Sequence, residues 1–476
     1  MPNTLRLPDG SHMRHPDVQR VIGYLFEMKC VEVLGFSNIG KSALLRLLAQ
    51  RDVWTQALGE ASRDFLPVYI DCNRMLEMTD QGFYEVVLRC LQESSKELAN
   101  LPALQTAYAT LVQPQNEFQV PLSFSTALRA VMDTTHRKLI LLFDEFDEPF
   151  SSIESRVFLN LRAKKDRNPD SLAYVTATNR PLAAGRAGQH SGEFVELFAH
   201  HSWQLAPLTY ADVERYVMAQ ADMQDLPVTE GDVAFIYEWT GGHPSMMDGL
   251  LRLLAAELGK DDQGAGHTPP STGNPSTGNR DSHWSLHRRL TQQMRDNVTL
   301  QRECNKILQG CKSEEMDALM GLYRPKNRLG SEDDGAILDQ LEAQHILLSV
   351  QGKRRPFSRL LTEAIQLRNS DNVQVSQLMV DVESGAVLVN GETVETLTAL
   401  EYKLMLLLSK NAEKIVDKYQ IVLAVWGEEY LDSVDDARIE KLISRLRQKV
   451  EPDHSNPRFI TTVRGRGYRL MPDPET

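Results

Sequence analysis

One short motif near the start of the chain constrains its fold more than any other feature. Gly35-Phe36-Ser37-Asn38-Ile39-Gly40-Lys41-Ser42 fits G-x-x-x-x-G-K-[ST] at every specified position. An apolar run over 31–34 precedes it, and Ala43, Leu44, Leu45, Leu47 and Leu48 follow at helical spacing. A strand, a glycine turn and a helix in that order leave converging backbone N–H groups, which form a nest for an anion. The glycines let the backbone approach phosphates with no Cβ in the way. The motif therefore predicts a nucleotide-phosphate site made by Gly35, Asn38, Ile39, Gly40, Lys41, Ser42 and Ala43. Lys41 would reach the outer phosphates and Ser42 would ligate Mg²⁺.

Further apolar runs at 68–70, 139–143, 172–177 and 203–205 alternate with helical patterns. That alternation predicts a parallel sheet flanked by helices. The run 139–143 ends in Asp144-Glu145. Acidic residues at the carboxyl end of such a strand sit where α/β folds bind their ligands. Asp144 is predicted to hold Mg²⁺ with Ser42, and Glu145 to orient or deprotonate an attacking water.

Composition bounds the rest. A length of 476 residues accommodates about three domains. No apolar run approaches the ~20 residues needed to cross a bilayer, and no N-terminal signal pattern is present. The five cysteines, Cys30, Cys72, Cys90, Cys304 and Cys311, are odd in number and dispersed. They argue against a disulfide framework and for a cytoplasmic protein. Residues 261–282 are rich in Asp, Gly, Pro, Ser, Thr and Asn, and Pro270-Ser271-Thr272-Gly273-Asn274 is repeated directly as Pro275-Ser276-Thr277-Gly278-Asn279. This composition cannot bury a core and predicts a flexible linker over 261–284. Residues 1–260 then form one domain. Residues 285–370 are mostly helical and end in a hairpin over 345–357 that turns near Gln351-Gly352, a winged-helix pattern. Residues 371–476 form the last domain, with strands, helices and a final hairpin.

The order of motifs in the first domain resembles the STAND branch of the AAA-type ATPases. The matching pieces are the Asp144-Glu145 strand end, the strand Tyr174-Val175-Thr176-Ala177-Thr178-Asn179-Arg180, and the turn Thr240-Gly241-Gly242-His243-Pro244. The resemblance implies that Asn179 or Arg180 senses the γ-phosphate and that His243 and Pro244 contact the nucleotide. It also implies that helices around 211–218 and 233–239 form a lid. Residues 285–370 would be the winged helix that follows such a core and packs on it.

Residues 375–470 resemble the OmpR/PhoB-type winged helix. The resemblance is carried by Leu397-Thr398-Ala399-Leu400-Glu401-Tyr402, Val425-Trp426-Gly427, Ile443-Ser444-Arg445-Leu446-Arg447-Gln448-Lys449 and Thr462-Val463-Arg464-Gly465-Arg466-Gly467-Tyr468. That family places a helix in the DNA major groove and a wing in the adjacent minor groove. The residues agree on their own terms. Ile439, Leu442, Ile443, Leu446 and Val450 share one helical face, and Arg438, Lys441, Ser444, Arg445 and Gln448 cluster opposite. From Arg438 to Arg469 nine basic residues face three acidic ones, in a chain of net charge −13. That is a local footprint for phosphates. The predicted DNA contacts are Arg438, Lys441, Ser444, Arg445 and Arg447 on the helix, with Thr462, Arg464, Arg466 and Tyr468 on the wing. Where the family often carries a histidine, this chain has Leu442.

The expected architecture is thus multidomain: an α/β P-loop NTPase with a helical lid, then two winged-helix (α+β) domains. The expected function is that of an ATP-dependent transcriptional regulator, a slow ATPase that uses ATP and Mg²⁺ and binds double-stranded DNA. Nucleotide-dependent self-association, an inducer or protein partner of unknown identity, and no membrane contact complete the expectation. Two alternatives remain open. One is a STAND-type defence or signalling ATPase whose winged helices bind protein. The other is an AAA-type DNA-remodelling or initiation factor.

Overall fold

The computed structural model describes residues 7, 10–185, 189–264, 278–323, 333–371, 378–380, 387–389, 392–394, 397–428, 434, 436–451, 457–463 and 465–471. The chain divides into two compact units, Met1–Gln366 and Leu367–Thr476.

The first unit is built on a five-stranded, all-parallel sheet in the order β2-β3-β4-β1-β5. Its strands are β1 (Val31–Leu34), β2 (Phe65–Asp71), β3 (Lys138–Asp144), β4 (Leu172–Thr178) and β5 (Ser202–Gln204). Each apolar run in the sequence becomes a strand. β2 begins earlier than the run at 68–70 suggests because Pro67 interrupts the pattern without ending the strand. β2 lies at a sheet edge, the position where a proline's missing N–H is tolerated.

Alternation along the strands feeds two cores. Ile140, Leu142, Ala173, Val175 and Ala177 face one cluster, with helices His15–Phe26 and Lys41–Leu48. Leu139, Leu141, Phe143 and Tyr174 face the other, with helices Asp80–Ser94, Gln119–Thr135 and Ser155–Arg167. Truncating a fully buried ring such as Phe143 to alanine would cost about 3–5 kcal/mol.

Three helices, Tyr210–Gln224, Glu230–Thr240 and Pro244–Gly264, follow β5, and the first two cover the segments expected to form a lid. Thr209 caps the first and a Thr229–Asp232 capping box starts the second. Gly241 and Gly242 turn the chain between the last two at φ of 59° and 80°. A Cβ on Gly241 would stand 2.2 Å from the Phe357 carbonyl oxygen, and one on Gly242 2.1 Å from that of Leu208. Neither position tolerates a side chain.

The described ends of the expected linker are helical: Pro244–Gly264 runs into it and Gly278–Asp296 leaves it. Residues 265–277, with most of the direct repeat, lie outside the described residues. Beyond them come helices Val298–Gln309, Ser313–Gly321 and Asp333–Ala343, the hairpin Leu347–Val350 with Lys353–Pro356, and helix Arg359–Asp371. Gln351 and Gly352 make the two-residue turn with φ of 52° and 76°, the left-handed pair that a tight hairpin requires. Leu290, Leu300, Ile307, Leu347 and Leu361 join the same apolar cluster as the lid and the helix Lys41–Leu48. This segment therefore packs on the body built around the parallel sheet.

The second unit has a small sheet of Leu378–Val380, Val387–Val389 and Glu392–Thr393, and then helices Ala399–Lys410, Lys418–Val425 and Asp436–Val450. A second sheet pairs Ile415–Val416 and Ile460–Val463 with Gly467–Leu470. Capping boxes at Thr398–Glu401 and Asp417–Gln420 start the first two helices. Gly467 sits at φ 131°, and a Cβ there would lie 2.1 Å from the Val416 carbonyl oxygen. The arrangement is a winged helix. Among the described residues no helix is long and apolar enough to cross a membrane.

Candidate nucleotide site and nucleic-acid interface

The glycine loop leaves β1 at the carboxyl edge of the sheet and enters helix Lys41–Leu48. Asn38 (φ 59°) and Gly40 (φ 108°) bend it so that Gly40 caps the helix. Gly35 approaches the loop closely, since a Cβ there would stand 2.7 Å from Ile39 Cγ2. A Cβ at Gly40 would lie 3.7 Å from Pro244 Cγ, so Pro244 of the lid borders the loop. Arg14, 2 % exposed, braces the loop from outside by donating to the Ile39 carbonyl at 2.7 Å and the Ala206 carbonyl at 2.8 Å. No motif marks Arg14, because its partners lie 25 and 192 residues away.

Lys41 Nζ donates to the Gly35 carbonyl at 2.7 Å, the Phe36 carbonyl at 3.4 Å and Asn179 Oδ1 at 2.8 Å. Burial lowers its pKa, opposed by the carboxylates of Asp147, Glu145 and Asp144. Ser42 Oγ donates to Asp144 Oδ1 at 3.1 Å. The other Asp144 oxygen accepts from the Tyr69 hydroxyl at 2.6 Å, and Arg46 Nε donates to Tyr69 at 3.1 Å. Hydroxyl and carboxylate oxygens at one point form the hard donor set that suits Mg²⁺.

Glu145 adopts φ 52°, an uncommon backbone for a residue with a side chain, beside Asp144. Desolvation, and then the charges of Asp144 and Asp147, raise its carboxyl above the usual range against the pull of Lys41. A carboxylate raised in this way is a better proton acceptor. Asp147 accepts from the Asn179 backbone N–H at 2.9 Å and from its side-chain amide at 3.2 Å, which fixes the amide that faces Lys41. Asp147 and Tyr69 join the site through contacts between segments that no sequence motif marks.

The structure thus brings Lys41, Ser42, Asp144, Glu145 and Asn179 together, and it separates two residues expected to join them. Arg180 points away, donating to the Gly310 carbonyl and pairing with Glu315 at 3.4 Å on the segment after the lid. His243 is wholly buried rather than facing a ligand. Its Nε2–H donates to the Ser37 carbonyl at 3.1 Å and its Nδ1 accepts from the Met246 N–H at 3.3 Å. Its ring stacks on Phe36 and Phe357, with centroids 5.8 and 6.1 Å away. With both nitrogens engaged, it ties the lid to the loop. Burial lowers its pKa to about 4, so it is neutral at pH 7. The loop is also tied to helix Val298–Gln309, where Asn38 Nδ2 donates to Glu303 Oε2 at 2.6 Å.

In the second unit Ile439, Leu442, Ile443, Leu446 and Val450 are buried, while Arg438, Lys441, Ser444 and Arg445 are exposed. Leu442 serves the core, so no phosphate contact comes from that position. Thr462 and Arg466 are exposed on the wing, and Arg464 lies outside the described residues. Two expected contacts are internal instead. Arg447 donates to the Ile460 carbonyl at 2.6 Å and to Thr462 Oγ1 at 2.9 Å, bracing the wing. Tyr468 is only 4 % exposed and packs in the core. The acid Glu451 accepts from the backbone N–H groups of Arg458, Phe459 and Ile460. Its charge is thereby spent inside the fold.

Residues 391–470 match the family model described as "Transcriptional regulatory protein, C terminal". The transcriptional regulatory protein YcbL of Bacillus subtilis is 41% identical over 98 residues, 21% of this chain and 42% of that protein. The chain thus spans less than half the length of that relative. The crystal structure of the Klebsiella pneumoniae RstA DNA-binding domain in complex with the RstA box is 29% identical, with a TM-score of 0.19, covering 21% of this chain and 95% of that one. The Walker-type ATPase paby2304 of Pyrococcus abyssi is 14% identical, with a TM-score of 0.44, covering 76% of this chain and 98% of that one. Residues 391–470 thus carry a domain of the family described as the C-terminal part of transcriptional regulatory proteins, and this chain joins it to a parallel α/β body that bears a G-x-x-x-x-G-K-[ST] loop.

Proposed function

We propose that the chain is a cytoplasmic, ATP-dependent transcriptional regulator in which nucleotide at the glycine loop controls the C-terminal DNA-binding module. The observation that carries this reading is the convergence of Lys41, Ser42, Asp144 and Asn179 at the carboxyl edge of a parallel sheet, in one chain with a transcriptional regulatory domain.

Ser42 and Asp144 would hold Mg²⁺, which would supply positive charge to offset that of the phosphates. Lys41 would exchange its carbonyl partners for phosphate oxygens while Asn179 keeps it oriented. Glu145 would accept the proton of the attacking water, and a slow ATPase follows. The loop's ties to Glu303 and to the His243–Phe357 stack, with the Arg180 pair nearby, support a route by which phosphate contacts reach the segment before the DNA-binding unit. On the DNA side, Arg438, Lys441, Ser444 and Arg445 would face the major groove, with Thr462, Arg464 and Arg466 at the wing. One module reads a short site, so nucleotide-dependent self-association would add avidity. An inducer or protein partner would bias the switch.

The direct test is Lys41→Ala, which removes the phosphate-facing cation and leaves the loop backbone. Calorimetry should record loss of most ATP affinity with the melting profile retained. ATP binding equal to that of the parent would remove this loop from the function.

A further inference from the structure

A second anion-compatible feature lies at the opposite end of the sheet. β3 runs from Lys138 to Asp144, so its two ends stand about 20 Å apart. At the Lys138 end, the last turns of helices Gln119–Thr135 and Ser155–Arg167 and the start of β4 enclose a cavity of about 790 Å³. Five cations line it, Arg129, Arg137, Lys138, Lys164 and Arg167, against two acids, Asp133 and Asp170. This bias occurs in a chain of net charge −13.

Two of the cations are committed elsewhere. Arg137 pairs with Glu97 at 3.5 Å, and Lys138 lies over the Phe65 ring at 5.0 Å. Among the described residues Arg129, Lys164 and Arg167 make no side-chain hydrogen bond or ion pair. Partial burial lowers the Lys164 pKa, and the charges of Arg167 and Arg129 lower it further. Like charges are thus held together on rigid elements, and three of them make no ion pair with the two acids of the lining. The partial negative charge of helix C-termini favours Lys164 and Arg167 in the last turn of their helix. It does not account for Arg129, which stands nearly two turns before the end of its own.

We propose that this cleft binds a compact polyanion, a small molecule bearing two or more adjacent phosphate groups, with Arg129, Lys164 and Arg167 as its principal ligands. A concave site of this volume suits a ligand of that size. A straight duplex would ask instead for an extended basic stripe. The site is separate from the glycine loop and does not depend on the role proposed for it.

The test uses the full chain carrying Lys41→Ala, so that the glycine loop contributes as little as possible, without Mg²⁺. Inorganic tripolyphosphate is titrated calorimetrically into this protein and into the same protein with Lys164→Ala and Arg167→Ala added. Saturable binding is expected in the first, weakened tenfold or more in the second, as loss of charge-assisted hydrogen bonds requires. Lys164→Ala alone should leave the melting temperature unchanged or raise it, because it relieves crowding. Absence of saturable binding, or binding indifferent to Lys164 and Arg167, overturns the proposal. A lowered melting temperature without binding makes the cations helix-end stabilisers and also overturns it. Weakened duplex DNA binding in the same variants, with no tripolyphosphate binding, makes the cleft a DNA-backbone surface and overturns it equally.

Discussion

Acid should loosen the first unit through His243. The ring is fully buried, stacked on Phe36 and Phe357, and bonded at both nitrogens in its neutral form. Its pKa is lowered by burial to about 4, whereas an unfolded histidine titrates near about 6.5. Between those values the unfolded chain holds a proton that the folded chain excludes. Stability therefore rises with pH across this window and is lost as pH falls from about 6.5 towards 4. The loss from this residue is about 2 kcal/mol between pH 7 and pH 5, and ~3 kcal/mol by pH 4. Carboxylates also contribute at low pH, so the informative quantity is a difference between two proteins. His243→Gln keeps an amide donor for the Ser37 carbonyl and cannot titrate. Urea unfolding of the full chain at pH 7 and pH 5, followed by the fluorescence of buried tryptophans such as Trp54 and Trp239, gives the two losses. The parent should lose ~2 kcal/mol more than the variant. Equal losses would refute the assignment of His243 as a buried, neutral tie between lid and loop.

The remaining expectations concern single side chains. Glu145→Gln keeps size and hydrogen bonding but accepts no proton, so it should bind ATP and turn over at least ~10²-fold more slowly; turnover near the parental rate in a phosphate-release assay would assign the base elsewhere. Arg445→Ala should cost about 1–3 kcal/mol of specific DNA affinity if it reads a base, and should instead lower the salt slope by about one if it meets a phosphate. Indifference to every duplex by fluorescence anisotropy would take that helix face off DNA. Arg447→Ala removes bonds to Ile460 and Thr462, so the second unit should lose roughly 1–3 kcal/mol in thermal unfolding; an unchanged melt with selective loss of DNA binding would make it a groove contact after all.

Short-range patterns made much of this legible. The glycine loop, the Asp144 strand end and the runs that became β1 to β5 are local signals, because strand periodicity and turn chemistry are set by neighbours in sequence. Gln351-Gly352 and Gly467 were readable for the same reason. Contacts between distant segments were not. Tyr69 meets Asp144 only because β2 and β3 pair in register, and Arg14 meets Ile39 across a fold that no motif announces. The errors share this origin. His243 sits in a recognisable turn, yet whether it faces a ligand or the loop backbone depends on Phe357, more than a hundred residues later. Arg447 lies among basic residues of one helix, but its guanidinium is claimed by a carbonyl of the wing. A helical wheel assigns a face and cannot assign a long side chain's partner.

The central claim is that nucleotide and DNA are coupled through one chain, and coupling is reciprocal by thermodynamic necessity. The most direct measurement is a paired titration in the Glu145→Gln background, where bound ATP should persist. Operator affinity is measured with ATP and with ADP, and the affinity of each nucleotide is measured with and without operator, across protein concentrations. The account predicts tighter DNA binding and greater self-association with ATP, and an ATP-over-ADP preference that operator DNA increases by the same factor. If both ratios equal one at every protein concentration, the two ends of the chain are not coupled and the ATP-switch account is wrong.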